Sequence, residues 1–240
     1  MIEHRPFDSL GRFPNDWLTA PSHFSFSHYH DPARMGWGAL RVWNDDLIQP
    51  QTGFPAHPHQ NMEIITYVRA GAITHRDSLG NEGRTEAGDV QVMSAGSGIR
   101  HAEYNLETEA TRLYQIWIEP DQLGGDPAWA AAQFPKSDRA GDLVILASGR
   151  AGDTDALPIR ADARLGAATL KPGQKVSYAL DADRRVYLAL AQGRATVNGV
   201  ALGPRDGLAA KDLDALDITG VEDAELVLVD AARAPKGSRA

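Results

Sequence analysis

The chain has 240 residues, with 24 basic and 32 acidic side chains and a formal net charge of −8 at pH 7. This excess of negative charge argues against direct binding of nucleic acid or of an anionic membrane, because such binding depends on basic side chains that neutralise phosphate. Cysteine is absent, which excludes disulfides, thiolate metal sites and cysteine nucleophiles, so any metal must bind through nitrogen and oxygen.

The N-terminal sequence "MIEHRPFDSLGRFPND" lacks the apolar segment of a secretory signal. No run in the sequence approaches the roughly 20 apolar residues that a membrane helix needs. From these features we expect a cytoplasmic protein.

The first half of the chain reads as short strands separated by turns that are rich in glycine and proline. The predicted strands combine β-branched and aromatic residues, and they cover residues 38–43, 62–68, 89–94 and 113–119. The stretch "DSLGNEG", residues 77–83, predicts a hairpin loop. Asp45 and Asp46, which follow the first predicted strand, are most simply a solvated turn.

A connector follows over residues 119–142. Within it, "GGDPAWAAAQF" predicts one helix, with Asp126 as the N-cap, Pro127 at the first helical position and an alanine-rich continuation. The second half repeats the pattern of short strands, at residues 143–148, 185–193, 195–202 and 224–230. The regular spacing predicts an all-β protein of antiparallel barrels or sandwiches.

The stretch "GFPAHPHQNMEIITYV", residues 53–68, contains the clearest candidate site. Side chains alternate between the faces of a strand, so His57, His59 and Glu63 are expected on one face. His101 and Glu103 have the same spacing and would join them from a neighbouring strand. Three imidazoles and one or two carboxylates suit a divalent transition metal, and the spacing does not decide which glutamate binds it.

These residues resemble known motifs. Gly53, His57, His59, Glu63 and Gly71 approximate the first cupin motif, and Gly88, Gly98, His101 and Asn105 approximate the second. The longer stretches "HPHQNMEIITYV", "HRDSLGN", "MSAGSGIRHAEYN" and "YQIWI" are similar to the pirin family, in particular to bacterial members described as quercetin 2,3-dioxygenases. The similarity is strong over roughly the first 120 residues and weaker beyond them.

The resemblance implies a bicupin of two antiparallel, jelly-roll-like β-barrel domains. Residues 1–130 would form the metal-binding cupin domain, and residues 131–240 a degenerate cupin domain without metal ligands. All eight histidines lie at or before position 101, which fits this division.

The resemblance also assigns roles to the site. It implies that the metal ligands are His57, His59, His101 and Glu103, with Glu103 also acting as the catalytic base. Glu63 then lies behind the ligands, where it would orient an imidazole. From its own position at the end of a predicted hairpin, His75 could reach a substrate as a further pocket residue, although a histidine there is more often structural. Iron is the expected metal, and copper, nickel, cobalt, zinc and manganese are also compatible with these donors.

The implied function is cleavage of a flavonol such as quercetin with O2. The alternative is a metal-binding, redox-sensitive regulatory protein that acts through a protein partner. In either case we expect a monomer or a weak homo-oligomer.

Four aromatic residues near the start of the chain are predicted to pack in the core or to stack on a planar ligand: Trp17, Phe24, Phe26 and Trp37.

Overall fold

The computed structural model describes residues 1–12 and 15–233. It confirms the all-β prediction, with 55% of residues in strands and 4% in helices. The strands up to residue 132 are β1 (Ile2–Arg5), β2 (Leu18–Thr19), β3 (Leu40–Ile48), β4 (Thr52–His59), β5 (Glu63–Ala70), β6 (Ala72–Asp77), β7 (Glu82–Glu86), β8 (Val90–Ser94), β9 (Ile99–Asn105), β10 (Thr111–Ile118) and β11 (Ala128–Ala132).

The remaining strands are also short. They are β12 (Val144–Ser148), β13 (Leu157–Pro158), β14 (Ala163–Leu170), β15 (Lys175–Ala179), β16 (Arg185–Gln192), β17 (Ala195–Val197), β18 (Val200–Leu202), β19 (Gly207–Lys211), β20 (Ala215–Gly220) and β21 (Ala224–Ala231). These strands pair in antiparallel register except for the parallel pair β12 and β13. Short 3₁₀ helices cover Phe7–Ser9, Pro32–Arg34 and Lys136–Arg139. No helix in residues 1–12 and 15–233 is long and apolar enough to cross a membrane.

Within the described residues the strands form four sheets, which pack in pairs as two jelly-roll-like sandwiches, as the bicupin prediction requires. The N-terminal sandwich joins a six-stranded sheet, β11-β8-β5-β10-β3-β2, to the four-stranded sheet β4-β9-β6-β7. The C-terminal sandwich joins a seven-stranded sheet, β1-β19-β16-β21-β14-β12-β13, to the four-stranded sheet β15-β20-β17-β18.

The main hydrophobic core lies between the six-stranded and the seven-stranded sheets, which pack back to back. It contains Ile65, Tyr67 and Ile116 from one sheet and Leu165 and Val227 from the other. Since these side chains have almost no exposed surface, their burial supplies the dominant stabilisation of the pairing. The two sandwiches therefore share one core.

Two further features join the sandwiches. The first strand, β1, pairs with β19 of the seven-stranded sheet, so the N-terminus of the chain completes the C-terminal sandwich. Asp45, on β3, forms ion pairs with Arg69 of its own sheet and with Arg205 of the C-terminal sandwich. The domain limits at 130 and 131 stay a prediction.

The predicted helix at residues 126–134 is wrong. These residues form β11, which pairs in antiparallel register with β8, so that Trp129 lies opposite Met93. Trp129 packs against Gly83, where an added Cβ would come within 2.3 Å of the indole ring. Tertiary pairing and this packing outweigh the helical preference of the four alanines in this segment.

Candidate metal centre

Three histidines meet on two neighbouring strands of the N-terminal sandwich. His57 and His59 lie on β4, and His57 is directly opposite His101 on β9. One potential ligand atom of each imidazole lies within 4.8 Å of those of the other two. The alternation of side chains predicted from the His-x-His spacing therefore delivers three imidazoles to one point.

A glycine allows the two strands to approach closely at this point. Gly53 of β4 lies opposite Tyr104 of β9. A Cβ at Gly53 would come within 2.2 Å of the carbonyl oxygen of Glu103, so any other residue would push the strands apart.

The histidines present free nitrogen atoms. The Nδ1 of His57 donates to the carbonyl of Pro55 at 2.7 Å, which leaves Nε2 as an acceptor. The Nε2 of His101 is buried and has no hydrogen-bond partner. Burial, with the neighbouring His57 and His75, lowers the pKa of His101 to about 3. Burial, with His101 and His57, lowers the pKa of His59 to about 4. At neutral pH both imidazoles are uncharged, the form that binds metals.

Glu103 lies beside the histidines in a network of hydrogen-bond donors. Its Oε1 accepts from Gln91 Nε2 at 2.6 Å and from Thr66 Oγ1 at 3.1 Å, and its Oε2 accepts from Gln115 Nε2 at 2.8 Å. The possible ligand atoms of Glu103, His75 and His101 lie within 4.8 Å of one another, whereas Glu103 does not join the cluster of His57, His59 and His101 at that distance. The carboxylate is thus held as an acceptor next to His101.

His75, expected as a pocket residue, lies behind His101. Its Nδ1 is 3.4 Å from Nδ1 of His101, and its Nε2 is 3.1 Å from Oδ2 of Asp77. Its ring stacks on Trp129 with centroids 4.9 Å apart. If His101 uses Nε2 toward a metal, its Nδ1–H donates to His75, whose Nε2–H donates to Asp77; this chain of hydrogen bonds fixes the orientation of the ligand.

Glu63 does not share a strand with the histidines, so the single-strand prediction is wrong. β4 ends at His59, Asn61 has a left-handed φ of 52°, and β5 begins at Glu63 in the facing sheet. The Oε2 of Glu63 accepts from Ser94 Oγ at 2.6 Å and from the backbone N–H of Arg160 at 3.0 Å. Burial raises the pKa of Glu63, and these hydrogen bonds oppose the shift. The role of Glu63 in orienting an imidazole stays a prediction.

A cavity of about 370 Å³ opens beside the three histidines. Its walls are largely aromatic and apolar, and they include Trp17, Phe26, Phe54 and Trp117. Trp117 packs edge-on against His59 with centroids 4.9 Å apart, and Phe26 packs edge-on against Trp117. Of the aromatics considered for stacking, Trp17 and Phe26 therefore line the cavity, while Phe24 is buried in the shared core and Trp37 packs against it. The volume is in the range of small-molecule sites.

The prediction that Asp45 and Asp46 form a solvated turn is wrong. Both lie within β3, and each is 1% exposed. Asp45 points toward the arginines that join the sandwiches, whereas Asp46 and Asn44 line the cavity. The polar residues of the Glu103 network, Thr66, Gln91 and Gln115, were also missed. Each lies inside a largely buried strand, and the signal was its place on the strand face shared with the site.

The residues present fit a divalent transition metal ion. Uncharged imidazoles that have free nitrogens, one of them buried without a partner, form a donor set typical of such ions, and Glu103 adds negative charge next to His101. His57, His59 and His101 would hold the ion.

Comparison with known proteins covers most of the chain. The profile of the Pirin family matches residues 3–118, and that of the quercetinase C-terminal cupin domain matches residues 145–231. The chain is 64% identical over 232 residues to a pirin-like protein of Caulobacter vibrioides, which covers 97% of this chain and 100% of that relative. It is 40% identical over 231 residues to quercetin 2,3-dioxygenase of Escherichia coli strain K12, with 96% and 98% covered.

Among solved structures, bacterial pirin YhhW of Escherichia coli in complex with nickel(II) matches with a TM-score of 0.91. The two sequences are 39% identical, and the match covers 97% of this chain and 100% of that one.

Proposed function

The chain belongs to the pirin family, and we propose that it is a metal-dependent dioxygenase that cleaves flavonols such as quercetin with O2. The observation that carries the proposal is the convergence of three imidazoles, with Glu103 beside them, at the wall of an aromatic cavity. Relatives named quercetin 2,3-dioxygenase support the choice of reaction.

We propose His57, His59, His101 and Glu103 as the metal ligands and iron as the metal, with copper, nickel, cobalt, zinc and manganese also compatible with nitrogen and oxygen donors. The ion, when bound, would supply Lewis acidity toward the enol oxygen of the substrate and a redox-active centre for O2. The structure of bacterial pirin YhhW from Escherichia coli was solved in complex with nickel(II), which supports a divalent transition metal here.

In this proposal Glu103 is the base that takes the enol proton. Its oxygens already accept hydrogen bonds from Gln91, Gln115 and Thr66, which fix the carboxylate in place beside His101. A base that is positioned before the substrate arrives removes part of the entropic cost of proton transfer.

The aromatic walls bind and orient the substrate. Trp17, Phe26, Phe54 and Trp117 present ring surfaces to the cavity, and planar ligands pack well against such surfaces. A bound flavonol that fills this space would also exclude water from the histidines.

The test begins with metal analysis after anaerobic purification, followed by O2 uptake and loss of the visible absorbance of quercetin. Metal-dependent uptake of O2 together with loss of absorbance is the expected result, with the metal-free protein as the control. Metal binding without any O2 uptake on a panel of flavonols and other enols would contradict the proposal. A change in partner binding with the oxidation state of the metal would then favour the regulatory alternative.

A further inference from the structure

Asn44 and Asp46 form a polar patch on the wall of the cavity that comes from the sheet facing the histidines. They lie two residues apart on β3, so their side chains share a face, and both line the cavity. β3 belongs to the six-stranded sheet, whereas His57, His59 and His101 belong to the four-stranded sheet packed against it. A ligand between the sheets would meet the histidines on one side and this pair on the other.

Both side chains carry an unsatisfied oxygen. Asn44 is 3% exposed and Asp46 is 1% exposed, yet Oδ1 of each has no hydrogen-bond partner. Buried polar atoms in folded proteins are almost always paired, because an unpaired one costs about 1–3 kcal/mol. Two such atoms side by side on a cavity wall point to a ligand that completes them.

Asp45, between these two residues, provides an internal comparison. It is as deeply buried as Asp46, but its side chain points to the other face of β3. There its two oxygens pair with Arg69 and Arg205. On the same strand, both carboxylate oxygens of Asp45 are paired with arginines, whereas Oδ1 of Asp46, on the cavity side, has no partner.

The chemistry of the patch favours uncharged, hydroxylated ligands. Burial, with the negative charges of Asp45 and Glu103, raises the pKa of Asp46 well above its ordinary value, which favours the protonated carboxyl group. A neutral carboxyl group donates one hydrogen bond and accepts another, as does the amide of Asn44. Among the described residues that line the cavity none is Lys or Arg, which disfavours a carboxylate or phosphate at this place.

We propose that Asn44 and Asp46 form a hydrogen-bonding subsite for a hydroxyl group on an aromatic ring of the substrate, at a distance from the enol. This inference rests on the proposed function, since it assumes that a flavonol occupies the cavity. It makes the pair a specificity determinant that selects polyhydroxylated flavonols over those whose only hydroxyl is the enol.

The test compares binding of quercetin with that of 3-hydroxyflavone, which has only the enol hydroxyl, to the metal-loaded protein without O2. Affinities follow from quenching of tryptophan fluorescence, because Trp17 and Trp117 line the cavity. We expect Asp46→Leu to lower the preference for quercetin about tenfold while 3-hydroxyflavone binds as before, in line with the loss of one hydrogen bond. Asp46→Asn, which keeps a donor and an acceptor, should retain the preference.

If Asp46→Leu does not fold, Asn44→Leu provides the same test, with the same expected loss. An unchanged preference in the leucine variant, or a loss in Asp46→Asn as large as in Asp46→Leu, would overturn the subsite. Failure of the wild-type protein to bind either flavonol would instead overturn the proposed function and this ligand class with it. Binding of both flavonols with equal affinity overturns the subsite alone.

Discussion

Glu103 can be tested by two substitutions that separate its structural from its metal-binding role. In the folded protein its oxygens accept from two buried amides, Gln91 and Gln115, and from the hydroxyl of Thr66. Glu103→Leu removes the carboxylate acceptor from one N–H of each amide group, and Gln91 Nε2 keeps a longer hydrogen bond to Thr66 Oγ1 at 3.3 Å. At about 1–3 kcal/mol for each buried group left unpaired, the free energy of unfolding should fall by at least about 2 kcal/mol.

Glu103→Gln should behave differently. A glutamine keeps one acceptor and brings one donor, and rotation of the Gln115 amide by 180° presents an oxygen to that donor. The hydroxyl of Thr66, now 3.3 Å from the Gln115 oxygen, can accept from the rotated amide. The network therefore stays paired, and we expect a loss of less than about 1.5 kcal/mol. The negative charge next to His101 is gone, however, so metal affinity should fall about 10- to 100-fold.

Urea denaturation of the metal-free variants measures the first quantity, and titration with Fe²⁺ or Ni²⁺ without O2 measures the second. Glu82→Gln is the matched control, because Glu82 makes only an exposed ion pair with Arg76 and its loss should change stability by less than about 0.5 kcal/mol. Wild-type stability in Glu103→Leu would refute the network argument. Wild-type metal affinity in Glu103→Gln would refute the role of the carboxylate charge.

Further predictions address single histidines. His57→Ala should reduce the metal content after purification at least about tenfold. His30→Ala, at an exposed position, is the control and should leave the metal content unchanged. Equal metal content in both variants would contradict the ligand assignment. His75→Leu removes the acceptor for His101 Nδ1 but leaves the hydrogen bonds of Glu103 in place. The metal affinity, measured by the same titration, should fall about tenfold. Burial and nearby arginines hold the pKa of His23 well below its ordinary value, so the unfolded chain takes up the proton first and stability is lost as pH falls below about 6.5. In urea denaturation, the stability difference between the wild type and His23→Gln should shrink by up to about 2 kcal/mol between pH 7.5 and pH 5. A constant difference would show that folding does not lower the pKa of His23.

Local patterns in the sequence were sufficient where strands are regular. The His-x-His spacing predicts a shared strand face, and the second motif predicts a neighbouring strand; the register that sets His57 opposite His101 confirms both. The hairpin at residues 77–83 was equally local, since Asp77 Oδ1 accepts from the backbone N–H groups of Leu79 and Asn81 within the turn. Such features depend on residues only a few positions apart.

The errors arose where distant residues decide the structure. Asp45 looks solvated because its neighbours are polar, but its partners are Arg69 and Arg205, the second of them 160 positions away. In the same way, β11 is a strand because β8 offers an unpaired edge, which no local propensity reveals. Sequence spacing also could not show that the chain turns at Asn61 and carries Glu63 into the facing sheet.

The two sandwiches fill equivalent interiors with different chemistry. Between the sheets of the C-terminal sandwich lies an aliphatic cluster that includes Leu188, Val197, Leu216 and Ile218. The N-terminal sandwich buries Thr66, Gln91, Gln115 and Glu103 between its sheets, alongside the unpaired oxygens of Asn44 and Asp46. A polar interior is less stabilising than an aliphatic one of the same size, because each group must be desolvated and its hydrogen bonds recover only part of that cost. The polar interior is consistent with the proposed binding site, in which Asn44 and Asp46 lie across the cavity from the histidines.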